Sequence, residues 1–232
     1  MIDQSDGSKK LDHSGHRARL KDRFIKGGAK ALADYELLEL LLFSAIPRRD
    51  VKPLAKELLT YYGDFSAVLS ATPEDLSKHP GIGESAVLSL KLVKEAAVRL
   101  AQVKVLEKPI LSNWKALQDY LRVAMANETR EQFRILFLNR KNILIADEIH
   151  GKGTVDHTPV YTREVVKRAL DLAASALILV HNHPSGDPKA SKGDIAMTRE
   201  IREACSKLDI AVHDHLIVGK HGMTSFKSMG LL

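Results

Sequence analysis

Ala176-Leu177-Ile178-Leu179-Val180-His181-Asn182-His183-Pro184-Ser185-Gly186 is an apolar run that ends in a polar, turn-forming motif. Consecutive apolar residues with no polar alternation suit a strand covered on both faces, as at the centre of an α/β sheet. Pro184 and Gly186 end the extension and turn the chain. Residues two apart in an extended chain point to the same side, so His181 and His183 can present two imidazoles to one point. The sequence then runs Asp187-Pro188-Lys189-Ala190-Ser191-Lys192-Gly193-Asp194, which returns a carboxylate at the start of the next helical pattern. Two imidazoles and one carboxylate suit zinc, and three protein ligands leave a fourth position for water. Zinc would lower the pKa of that water toward about 7. A plainer reading stands beside this one. Ser191-x-x-Asp194 fits a capping box with serine at the N-cap, and a His-x-His at a strand end can be two surface histidines.

Working outward, the second half of the chain alternates between the two periodicities. A helix over 113–126 precedes a strand at Gln132–Leu138, a turn at 139–142 and a strand at Ile143–Ile149. Helices at Thr162–Ala174 and Asp194–Leu208 and a strand at Ile210–Val218 complete an α/β sandwich. No strand pattern precedes residue 100. Leucines recur at helical spacing from Ala33 to Phe43, with Asp34 as N-cap, and Asp50 caps a second helix through Leu54, Leu58 and Leu59 to Gly63. Short helical pieces follow to residue 101, and Lys108-Pro109 breaks the pattern. The expected architecture is α+β: a flexible tail at 1–12, an all-helical domain at 13–101, a linker at 102–112 and the sandwich at 113–232.

The 232 residues include 44% hydrophobics, enough for a sizeable core, and carry a net charge of +6. That charge permits an anionic partner without demanding one. The single cysteine, Cys205, excludes an intrachain disulfide framework and a cysteine-rich zinc site, and suits a reducing, cytoplasmic setting. Cys205 shares a helical pattern with Ile201 and Leu208 and reads as a small buried hydrophobe. No apolar run reaches the roughly 18 residues of a membrane span, and the N-terminus lacks a signal-peptide core. The expectation is therefore no membrane partner.

His181-x-His183-x(7)-Ser191-x(2)-Asp194 resembles the JAMM motif of the JAB/MPN metalloprotease superfamily. Asn182-His183-Pro184-Ser185-Gly186 resembles the bacterial RadC family in particular. Gly153-Thr154, Arg163-Glu164, Asp214-His215-Leu216-Ile217-Val218-Gly219 and Ser225-Phe226 extend the likeness. Thr162 and Ala190 stand where the family pattern has proline, and neither is a candidate ligand. The resemblance implies a cytidine-deaminase-like mixed sheet and one zinc ion per chain, held by His181, His183 and Asp194. It also implies an upstream glutamate acting through the zinc's water. Glu131, at the entry of the first strand, stands where that pattern places the acid; Glu128, Glu148 and Glu164 are its rivals. Ser191 would stabilise the oxyanion of a tetrahedral intermediate. The implied activity is cleavage of a peptide or isopeptide bond in a protein or peptide substrate. The family's name ties it to DNA repair.

His213-Asp214-His215 is a second His-x-His; beside a rival metal pair or support for the first ligands, packing and hydrogen bonding within the sheet is the expected reading, and neither histidine is taken as a ligand. Leu76–Leu88 resembles a helix-hairpin-helix. The glycines of its Gly81-Ile82-Gly83 loop let a phosphate approach, and Lys78 adds charge, so the expected partner there is DNA bound without regard to sequence. The basic cluster Arg17–Lys30 is another such surface. Aromatics at 5% argue against a base-stacking platform. Two other functions remain open: a metal-dependent nuclease, and a DNA-binding or adaptor module whose metal site is idle.

Overall fold

The computed structural model describes residues 13–106, 108–152 and 160–232. The 1–12 tail and the Gly153-Thr154 pair lie outside these residues. The chain forms two compact units, divided between Leu92 and Val93.

The first unit is helical: α1 (His13–Gly27), α2 (Asp34–Ala45), α3 (Lys52–Tyr62), α4 (Phe65–Ser70), α5 (Pro73–Leu76) and the start of α6 (Glu84–Leu106). The leucines read at helical spacing, Leu38, Leu42, Leu54 and Leu58, are buried. Asp34 is the first helical residue of α2 and not its cap. Glu36 reaches back instead, its Oε2 accepting the Ala33 amide at 3.0 Å, so an orphan amide is satisfied from inside the helix. Asp50 accepts the Lys52 amide at the head of α3.

The second unit is built on one sheet. Among the described residues, β1 (Gln132–Leu138), β2 (Leu144–Lys152), β3 (Ala176–Asn182), β4 (Ala211–Val218) and β5 (Met223–Ser225) stand in the order β2-β1-β3-β4-β5. β3 and β4 are parallel and the other neighbours antiparallel. α7 (Trp114–Met125) covers one face through Leu117, Tyr120 and Leu121 against Leu136, Ile178 and Leu216. α8 (Thr162–Asp171) and α9 (Lys192–Ser206) cover the other, with Val165, Ala169, Ile201 and Cys205 against Ile135, Leu177 and Leu179. β3 is buried at every residue, because both faces of the central strand are roofed by helices. The α7 side also encloses an ionic group: Arg134 donates to Asp147 at 2.7 Å and to the Tyr120 hydroxyl at 2.9 Å.

Several boundaries differ from expectation: β2 spans Leu144–Lys152, α8 ends at Asp171 and α9 spans Lys192–Ser206. β3 continues through His181 and Asn182, because the ladder to Phe133 on β1 and to Ile217 and Val218 on β4 extends that far. The 102–112 segment is helical to Leu106 and has a 3-10 turn at Ile110–Ser112. Val105 and Ile110 are buried in the α7-side core, and this burial makes part of the sandwich from what reads as a linker. No helix among the described residues is long and apolar enough to cross a membrane.

Candidate metal centre

His181 is the penultimate residue of β3 and is 1% exposed, while His183 lies just beyond the strand, its amide donating to Val218 O at 3.0 Å. The turn after it closes through Gly186 N to His183 O at 2.9 Å, with Gly186 at φ +87. This turn packs on the chain leaving β4 so closely that a Cβ on Gly219 would stand 2.4 Å from Gly186 O. Asp194 sits in the first turn of α9 inside a complete capping box. Its amide donates to Ser191 Oγ at 3.1 Å, and its Oδ2 accepts the Ser191 amide at 2.7 Å. The plainer reading of Ser191-x-x-Asp194 is thus fulfilled, and the cap itself aims the carboxylate.

Three donor side chains converge. His181 Nε2 and His183 Nε2 are 2.9 Å apart, His181 Nε2 is 3.3 Å from Asp194 Oδ1, and His183 Nε2 is 3.7 Å from Asp194 Oδ2. Donors bound tetrahedrally to one zinc at about 2.0–2.1 Å stand about 3.4 Å apart, which this spread brackets. Among the described residues this is the only His/Cys/Asp/Glu group that could hold a metal ion.

Hydrogen bonds on the far side of each ring decide which nitrogen is free. His183 Nδ1 lies 2.7 Å from Asp187 O, a pure acceptor, so Nδ1 carries the proton and Nε2 keeps its lone pair. For His181 the logic runs through two more residues. The Thr198 hydroxyl donates its one proton to Asp194 O at 2.5 Å. Its oxygen therefore accepts from His215 Nδ1 at 2.6 Å, which makes His215 Nε2 an acceptor for His181 Nδ1–H at 2.8 Å. Both Nε2 atoms are left as lone pairs facing Asp194, as ligation requires.

The electrostatics agree with these assignments. Burial pushes the pKa of His181 down to about 4 and that of the fully buried His215 well below its ordinary value, so both are neutral at pH 7. His183 is raised, first by its hydrogen bond to Asp194 and also by the Asp187 carbonyl, so a proton and a metal ion compete for the same Nε2. Burial opposes ionisation of Asp194, but the His183 hydrogen bond, the His181 charge and the Ser191 contacts outweigh it and hold the carboxyl well below its usual range.

Glu131 precedes β1 and is half-buried, and its charge contributes to raising His183. The rival glutamates have the following partners. Glu148 is bidentate to Arg168, Glu164 accepts from Arg163, and Glu128 accepts from Gln132 and faces Lys94 at 3.8 Å. Cys205 is buried, its thiol pushed up to about 11 by burial. His213 does not join the group: it pairs with Asn142 Oδ1 at 2.6 Å. Sequence reasoning missed Thr198 and gave Asn182 no role; a buried hydroxyl or amide flanking a ligand has no spacing signature.

In the helical unit, Gly81 adopts φ +94, and a Cβ there would stand 3.0 Å from Arg49 Nη1; around Gly83 the space is open. Lys78 is paired with Asp75 at 2.6 Å but remains 73% exposed. The Arg17–Lys30 cluster is less basic outwardly than its sequence suggests. Arg17 donates to Phe43 O, Ile46 O and Arg49 O, and Arg23 is bidentate to Glu36, so both serve the fold.

Residues 111–231 match the family model of the RadC-like JAB domain, and residues 12–88 match that of the UPF0758 N-terminal domain. A UPF0758 protein of Rhodobacter capsulatus is 60% identical over 213 residues, covering 92% of this chain and all of that protein. A UPF0758 protein of Ruegeria pomeroyi is 56% identical over 217 residues, covering 94% of this chain and 97% of its own length. With these matches, and with the donor set its sandwich assembles, the chain belongs to the RadC-like JAB domain family.

Proposed function

We propose that this protein is a zinc-dependent hydrolase of the JAMM type that cleaves a peptide or isopeptide amide bond. The observation that carries the reading is the convergence of three donors with both imidazole lone pairs fixed from behind by independent hydrogen bonds. Zinc, when bound, supplies Lewis-acid polarisation and lowers the pKa of water it holds. His181, His183 and Asp194 hold one zinc ion per chain. Glu131 takes the proton of the attacking water as the new C–O bond forms and returns it to the leaving nitrogen as the C–N bond breaks. Ser191 Oγ is occupied as acceptor of the Asp194 amide, so its own O–H remains to donate to the developing oxyanion. The buried, inert Cys205 suits a cytoplasmic setting.

The test is incubation of zinc-loaded protein with a peptide mixture and isopeptide-linked conjugates, reading new amino termini by mass spectrometry. Cleavage is expected in the wild type, reduced by about 10²-fold or more in Glu131→Gln. No cleavage at one zinc per chain, or equal cleavage in the variant, overturns it.

A nuclease fits less well, because many nucleases use two metals and a single donor group converges among the described residues. An adaptor with an idle site is disfavoured by the intact donor set. Sequence-independent DNA contact by the helical unit is a separate reading, favoured by the left-handed Gly81, the adjacent Arg49 guanidinium and the open approach at Gly83. Salt-dependent duplex binding, weakened in Arg49→Ala, tests it.

A further inference from the structure

We infer that Asn182, between the two metal-ligand histidines, is a positioning residue that holds Glu131 in place. The inference rests on the reading of Glu131 as proton carrier. The strand's period of two sends the Asn182 side chain away from the side shared by His181 and His183. It is 1% exposed there, against the segment that leads into β1. Its Oδ1 accepts the Gln132 amide at 2.9 Å. Its Nδ2 donates to Arg130 O at 3.1 Å and to Glu128 O at 3.3 Å. The carbonyl of Arg130 and the amide of Gln132 belong to the two peptide planes that flank the Glu131 Cα. One side-chain amide therefore pins both planes and fixes where the Glu131 side chain starts.

The chemistry selects asparagine. The contacts need an acceptor oxygen and two N–H donors on a short planar group, which a carboxamide supplies. Aspartate keeps the acceptor but turns an oxygen toward two carbonyls, and alanine leaves the buried Gln132 amide without its acceptor. A second tie comes from the segment itself, where Gln132 Nε2 donates to Glu128 Oε2 at 3.0 Å. The residue between the ligands thus couples the metal-bearing strand to the acid-bearing segment, so that neither shifts without the other.

The test uses cobalt(II) in place of zinc and reads the visible spectrum against pH in the wild type, Glu131→Gln, Asn182→Ala and the double variant. All four are expected to hold one cobalt per chain. Glu131→Gln shifts the pH midpoint, Asn182→Ala shifts it in the same direction, and the double variant matches Glu131→Gln alone. Amide exchange at Gln132 quickens by about tenfold in Asn182→Ala, as one lost hydrogen bond allows. Asn182→Asp, which keeps the Gln132 acceptor but loses both donors, serves with the same expected midpoint shift and wild-type exchange at Gln132 if the alanine variant does not fold. A wild-type midpoint in the Asn182 variants, or shifts that add in full, overturns the positioning role and leaves Glu131 intact. A midpoint unmoved by Glu131→Gln overturns the proton-carrier reading, and the positioning role with it.

Discussion

The two His-x-His pairs have the same spacing and opposite fates. On β3, His181 and His183 converge on one point, because the strand ends between them and the turn at 184–186 brings the second ring back to 2.9 Å from the first. On β4, the ladder to β3 skips a residue: Leu177 faces Val212, but Ile178 faces Asp214. His213 is the bulged residue, and the bulge reverses the facing of everything after it. Val212 packs on the α8–α9 side while Leu216 packs on the α7 side. His215 is thereby delivered behind His181, between Phe133 and Phe226. His213 turns away to Asn142 and borders a cavity of about 350 Å³ with Trp114 and Lys227. Spacing alone does not make a metal pair; the local backbone decides whether two imidazoles meet.

The contrast is sharpened most by removing a ligand. His183→Ala lowers zinc affinity by about 10³-fold or more, since the 10–16 kcal/mol of a typical zinc site rests on few ligands; competition with a chromophoric chelator measures it. His215→Phe keeps the ring packing but leaves His181 Nδ1 without its acceptor, and costs about 10–100-fold in the same titration. Affinity also follows pH in two steps. Zinc needs the His183 lone pair, so binding is strongest above the raised His183 pKa and weakens as pH falls through it, by about tenfold per unit. The slope steepens below about 4, where His181 takes its proton, while Asp194, held well below its usual range, adds nothing until lower still. The smallest effect is expected from His213→Ala: zinc affinity unchanged, and a stability loss of about 0.5–1.5 kcal/mol in urea unfolding for the lost bond to Asn142. A zinc defect in that variant would break the distinction between the pairs.

The sequence made the central strand and both its histidines legible, because an apolar run ending in His-x-His-Pro states its burial and its turn locally. β1 was readable to the residue at Gln132–Leu138, from its apolar run between turn residues. β5 was not read; at Met223–Ser225 it is too short to show a period and exists because it pairs with Leu216–Val218. The capping box was readable, since N-cap and N3 are three apart in any helix. The supporting shell was not: Thr198 reaches His215 across 17 positions and Asn182 reaches Glu128 across 54. The β4 bulge hid the difference between His213 and His215 for a related reason, because it is a property of pairing with β3 and leaves no mark on β4 alone.

The most direct test of the centre is elemental analysis of purified wild type beside the His181→Ala/His183→Ala double variant, with His213→Ala as control. About one zinc per chain is expected in the wild type and in His213→Ala, and none in the double variant. A wild type that holds no metal after zinc reconstitution, or a double variant that retains it, would rule out this metal centre.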